Sequence, residues 1–244
     1  MLVRHHEKGW RIISHATHAL LAGKIGNCIK RTGVLQSHWP ETLTAIINHD
    51  DYMVDFSKKN YLTEAGTPLD FMMDGGDNKD AVIHAKSLYK ETLQKSQWIS
   101  ILISRHLDFL YKDLPDKEMK QFLDKMHEKR KGQRKLYAIN LGMEDRLYNV
   151  LRFCDRLSLI ICGEEVPKTG RQLEINSSID GETYYIFQKE DESFGVAPWV
   201  FAGDTVEIDL EYRILEQVKF SSNKELEQCI AHAKVQLQQI ILRK

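Results

Sequence analysis

The stretch Leu43-Thr44-Ala45-Ile46-Ile47-Asn48-His49-Asp50-Asp51 decides how this chain is read. Pro40, favoured in the first helical turn, marks where its helix opens. Leu43, Ile46 and Ile47 make an apolar stripe, and Asp50 falls on it, one turn past Ile46. His49 lies about 100° around the helix, so both side chains can lean to one side. A carboxylate isolated on a core-facing stripe is costly. An imidazole there needs a partner for each ring nitrogen.

The same interruption recurs along the chain. His18 opens the stripe His18, Leu21, Ala22, Ile25, and His106 follows Ile99, Leu102 and Ile103. Asp155 continues from Leu147 and Leu151, and His84 lies between Ala81 and Leu88 on a helix expected over Lys79–Lys95. One such group has an ordinary explanation: a core histidine bonded to a carbonyl, or an aspartate at a cap. Several on inner faces of separate helices can instead satisfy one another by sharing a divalent cation. A mixed imidazole and carboxylate set suits Fe, Mn, Zn, Ni or Co rather than calcium. The candidate metal ligands are therefore His18, His49, Asp50, Asp155, His106 and His84, for one or two ions. His15, one turn before His18, can geometrically replace it.

Helices are expected from His15, from Pro40 to Asp50, over Lys79–Lys95 and Gln97–Tyr111, from Pro115 to Leu136 and over Glu144–Cys162. Residues 57–78, with Gly75-Gly76-Asp77-Asn78, read as a loop. After Gly163 the texture changes to strands at Arg171–Ile179, Thr183–Lys189 and Thr205–Ile214. The tail from Ser222 reads as helix, with Ser222 and Glu225 as a capping box. The expected fold is mainly α: a helical bundle over residues 15–165 with a smaller antiparallel β extension over 166–244, α+β overall. A hairpin over residues 1–14 is expected to join the extension.

The 244 residues carry 34 Lys+Arg against 35 Asp+Glu, a net charge of -1, so there is no basic excess to mark a nucleic-acid binder. The basic run Lys125–Lys135 lacks interleaved aromatics and reads as a solvated helix face. No apolar run approaches a membrane span, and Met1–Trp10 has no signal-peptide core. The four cysteines are widely spaced, which suits a reducing cytoplasm and gives no thiolate zinc site. The sequence is compatible with a homo-oligomer.

The order His18, His49-Asp50, His106, Asp155 resembles the HD-domain superfamily of helical metal-dependent phosphohydrolases, whose signature is H…HD…D. More closely, the chain is similar to an uncharacterised bacterial family of HD-like proteins with a β-rich extension. The residues that carry this are His18-Ala19-x-x-Ala22-Gly23, His49-Asp50-Asp51, Asp70-Phe71, Ser104-x-His106, Glu128-x-Arg130-x-x-Gln133, Cys154-Asp155-x-Leu157-Ser158 and Pro198-Trp199-x-Phe201. Members often continue the doublet as HDxGW, whereas Tyr52-Met53 follow Asp51 here.

The resemblance implies a metal on His18, His49, Asp50 and Asp155 and a small phosphorylated substrate. Asp51 or His106 would then orient water or act as general base. Asp51 has an equal alternative as a cap or salt-bridge partner. Arg156, Arg105 or Lys86 can neutralise phosphate charge, against a default of surface pairing. Inclusion of His84 would point instead to a two-metal enzyme, a phosphodiesterase or a di-iron oxygenase. A third reading is a non-catalytic binding module on the same scaffold.

Overall fold

The computed structural model describes residues 1–51, 56, 59–73, 78–168, 170–179 and 181–244. Gly75, Gly76 and Asp77 of the expected loop, Tyr52 and Met53, and Asp180 lie outside the described residues. Seven helices occupy the middle of the chain: α1 (His15–Cys28), α2 (Val34–Ser37), α3 (Trp39–Asn48), α4 (Asn78–Lys95), α5 (Gln97–Tyr111), α6 (Lys117–Leu136) and α7 (Leu141–Cys162). Side chains cap the N-termini of α1, α5, α6 and α7. Ser14 accepts from Thr17, Ser96 from Trp98, Asp116 from Met119 and Asn140 from Met143.

Helices α1, α3, α5 and α7 pack against one another around Ala22, Ile25, Ile46, Leu102, Ile103, Leu151 and Leu157, all essentially inaccessible to water. Gly23 sets the closeness of α1 to α3. A Cβ there would stand 2.4 Å from Cγ1 of Ile47. An alanine ordinarily favours a helix interior over glycine by about 1 kcal/mol, but overpacking costs about 1–3 kcal/mol. G23A is therefore expected to destabilise the protein by about 1–2 kcal/mol in urea unfolding. In an I47A background, which removes the obstructing atoms, the same change should become neutral or stabilising.

The strands are β1 (Leu2–His6), β2 (Gly9–Ile13), β3 (Leu173–Ile179), β4 (Glu182–Gln188), β5 (Phe194–Ala197), β6 (Thr205–Leu215) and β7 (Val235–Arg243), with helix α8 (Asn223–His232) between the last two. They form one sheet in the order β1-β2-β6-β7-β5-β4-β3. Strands β6 and β7 pair antiparallel from Thr205↔Arg243 to Arg213↔Val235, and β5 meets β7 in parallel. Gly9 ends the hairpin turn with φ +133°, and a Cβ there would stand 2.0 Å from the Leu215 carbonyl oxygen. Val206, Ile208 and Leu210 of β6, with Ile240 and Leu242 of β7, point into the same hydrophobic core as the helices. A smaller cluster joins Met1, Val3 and Ile12 to Leu215, Phe220 and Leu226.

This corrects the expected helical bundle with a small β extension. The chain is 51% helix and 21% strand, and its seven strands curl into a half-barrel that draws on both termini. The arrangement is α+β with one sheet that includes strands from both ends of the chain. Two segments account for most of the difference. Val235–Arg243, expected to be helical, is a strand paired on both sides; its Gln-rich first half and Ile240-Ile241-Leu242 end suit either period, and pairing with β6 decides the outcome. Phe194–Ala197, read as a connection, is a four-residue strand.

Candidate metal centre

Four helices bring their polar interruptions to one place. His18 comes from α1, His49 and Asp50 from the C-terminal end of α3, His106 from α5 and Asp155 from α7. His18 Nε2 lies 3.3 Å from a carboxylate oxygen of both Asp50 and Asp155. His49 Nε2 lies 3.2 Å from Asp155 and 3.7 Å from Asp50. The His106 ring centroid is 5.0 Å from that of His49. Two overlapping trios, His18/His49/Asp155 and His49/Asp50/His106, have ligand atoms within 4.8 Å of one another.

The other ring nitrogens fix which atoms face inward. His49 Nδ1–H donates to the Ile46 carbonyl at 2.7 Å, because a carbonyl only accepts. The Ser158 hydroxyl donates to the Asp155 carbonyl at 2.8 Å and so accepts from His18 Nδ1–H at 2.7 Å. Both imidazoles are thereby oriented with Nε2 towards the carboxylates, the arrangement that outer partners impose on metal-bound histidines. Neither Nε2 atom makes a hydrogen bond, although both are buried. Such nitrogens, paired in charge with two carboxylates at 3.2–3.3 Å but without hydrogen-bond geometry, fit a divalent transition metal.

Electrostatics follow from the same contacts. Burial works against a charged His49, but Asp50 and Asp155 outweigh it and push its pKa up to about 10. His18 is raised in the same way, against burial, by Asp155 and Asp50. Burial opposes ionisation of Asp50 and Asp155, yet the charge of His49 and the neighbouring imidazoles hold both carboxyls well below the usual range. His106 goes the other way: burial, then the charge of His49, pushes it down to about 4, and its Nδ1 has no partner.

A ring of residues braces this cluster. His15 Nδ1 is 3.7 Å from Asp50, and its ring packs 4.7 Å from that of Phe71. Phe71 is held by its neighbour Asp70, which accepts from the Val3 N–H and from Arg4; Arg4 also donates to the Gly163 carbonyl at the end of α7. The Asp70-Phe71 pair thus ties hairpin, loop and α7 together behind the site.

Other sequence candidates fall elsewhere. His84 belongs to neither trio: Nε2 donates to the Asp51 carbonyl at 2.8 Å, and Nδ1 accepts from the Tyr111 hydroxyl at 3.3 Å. Burial and the Asp50 charge push that phenol up to about 12. The Asp51 carboxyl accepts from Asn48 at 2.6 Å. Arg156 pairs with Glu165, Arg105 with Asp145 and Glu144, and Lys86 with Glu118. Arg130 and Gln133 are buried but grip α5, through Ser104 and through Ser100 and Gln97, rather than touching the cluster. Phe201 packs on Phe153 of α7, and Trp199 packs on Phe201.

Fold and cluster together define an α+β protein with a buried histidine and aspartate centre shared by four helices. The chain belongs to the family described as "Protein of unknown function (DUF3891)", which matches residues 1–217. No curated protein matches the chain, and no solved structure does. Among the described residues no helix is long and apolar enough to cross a membrane.

Proposed function

We propose that the protein is a metal-dependent hydrolase of HD type that acts on a phosphorylated small molecule or nucleotide. The observation that carries this is the convergence of the buried Nε2 atoms of His18 and His49, neither in a hydrogen bond, on the carboxylates of Asp50 and Asp155. These four residues would hold one divalent ion of Fe, Mn, Zn, Ni or Co. When bound, such an ion supplies a water acidic enough to ionise near neutral pH and polarises a phosphoryl oxygen. Burial and the charge of His49 disfavour a charged His106, and its unpartnered Nδ1 would serve a hydrogen bond with water or substrate.

A single ion is favoured over two. The trios share His49, whose Nδ1 is already committed to Ile46, and His84 is engaged by Asp51 and Tyr111. That argues against the di-iron oxygenase reading. The four cysteines are free, which fits a cytoplasmic enzyme.

The test is elemental analysis of protein purified without chelator, followed by phosphate release from a panel of phosphomonoesters and nucleotides with each metal. About one transition-metal ion per chain and release that stops on chelation are expected. A chain that takes up no transition metal overturns the proposal. Stoichiometric metal without turnover on any substrate also overturns it, in favour of a binding module.

A further inference from the structure

Helix α7 carries Tyr148, Arg152 and the candidate ligand Asp155 at successive turns of one face, and α5 carries His106 and Phe109 one turn apart. The two rows meet. The Tyr148 ring lies 6.3 Å from that of His106, Phe109 lies 6.5 Å from His106, and the Arg152 guanidinium stands 4.3 Å over the Phe109 ring. The seam between α5 and α7 therefore runs outward from the metal centre past these side chains.

Two of them are donors without acceptors. Arg152 is half-buried and makes no hydrogen bond or ion pair among the described residues, whereas Arg105 and Arg156, on the same two helices, are committed to carboxylates. The Tyr148 hydroxyl is buried with no partner. Burial keeps that phenol protonated, the Arg152 charge opposing and the Asp155 charge adding to the effect. An unmet buried hydroxyl is costly. A guanidinium whose face is occupied by Phe109 keeps its N–H edge for bidentate contact.

We propose that Arg152 and Tyr148 form an oxyanion subsite beside the metal centre, which receives phosphoryl oxygens of the substrate. Arg offers donors only and the phenol O–H can donate one more, which suits the acceptor-rich oxygens of phosphate, and the planar fork matches two oxygens of one tetrahedral group. The inference rests on the reading of a phosphorylated substrate, and it names the residues that select that group.

The probe is inorganic phosphate, titrated calorimetrically into zinc-loaded and metal-free protein, with acetate as the competing anion. R152M is expected to weaken phosphate binding by about tenfold or more, and Y148F by about threefold, with zinc content and melting temperature unchanged. R152K should recover part of the loss, since it keeps the charge without the fork. Phosphate binding within twofold of the parent in R152M overturns the subsite, and so does acetate binding as tight as phosphate. The two readings fail separately. A chain that takes no metal but loses phosphate binding in R152M keeps the subsite and loses the metal centre. A chain that takes metal but binds phosphate independently of Arg152 does the reverse.

Discussion

Protein carrying H49N and D50N is expected to bind a transition metal at least about 10³-fold more weakly than the parent, and to come through dialysis empty. Four-ligand zinc sites are worth about 10–16 kcal/mol in all, so loss of two ligands removes several powers of ten. The substitutions preserve shape. An asparagine at 49 keeps an N–H that can serve the Ile46 carbonyl, and one at 50 keeps the volume that His15 and His18 pack against. Metal retention then reports ligation rather than unfolding, and competition against a coloured chelator measures it. S158A supplies a graded comparison. It leaves all four ligands but frees His18 Nδ1, and the expected loss is about 10–100-fold. Wild-type affinity in the double variant would mean that the imidazoles and carboxylates merely pair with one another.

The cluster was readable before the fold because its residues break apolar stripes, and a stripe has a known direction. His18, His49, Asp50, His106 and Asp155 each stand where a core residue is due, and the structure places all five together. The same criterion also picked His84, which meets a backbone carbonyl and a tyrosine instead; a broken stripe shows that a polar partner exists, not what it is. In α6 charge hides the same signal. Met119, Leu123, Met126, Arg130 and Gln133 are the buried face of that helix, so two polar residues of a basic run occupy core positions. The sheet was harder. Strand β7 depends on β6 and β5, which are distant in sequence, and no local period of Val235–Arg243 records that pairing. Arg152 and Tyr148 carried no local signal either, since an arginine at a helix surface and a tyrosine in a stripe are both commonplace; only the absence of partners distinguishes them.

The largest stability effect is expected from Glu144, in the first turn of α7. An acidic residue there reads as a complement to the helix dipole, but its side chain is wholly buried. Arg134 donates to one carboxylate oxygen at 2.5 Å, and the other lies 3.5 Å from Nε of both Arg105 and Arg130. Three helices, α5, α6 and α7, thus converge on one anion. E144A should cost about 3–5 kcal/mol, because it leaves Arg130, 1% exposed, with only the partly exposed Asp108 as a charged partner. Urea unfolding should show the midpoint falling with an unchanged slope. The comparison with R130M separates pairing from packing. Removing Arg130 alone still leaves Glu144 held by Arg134 and Arg105, so a smaller loss is expected. Removing both should cost clearly less than the sum of the single changes, since the fully buried Arg130 is then not left without its anion, and the loss of Glu144 by the partly exposed Arg134 is already counted in E144A. Strict additivity would show that Glu144 and Arg130 stabilise the helices independently, and a loss below about 1 kcal/mol in E144A would show that the anion is not what joins them.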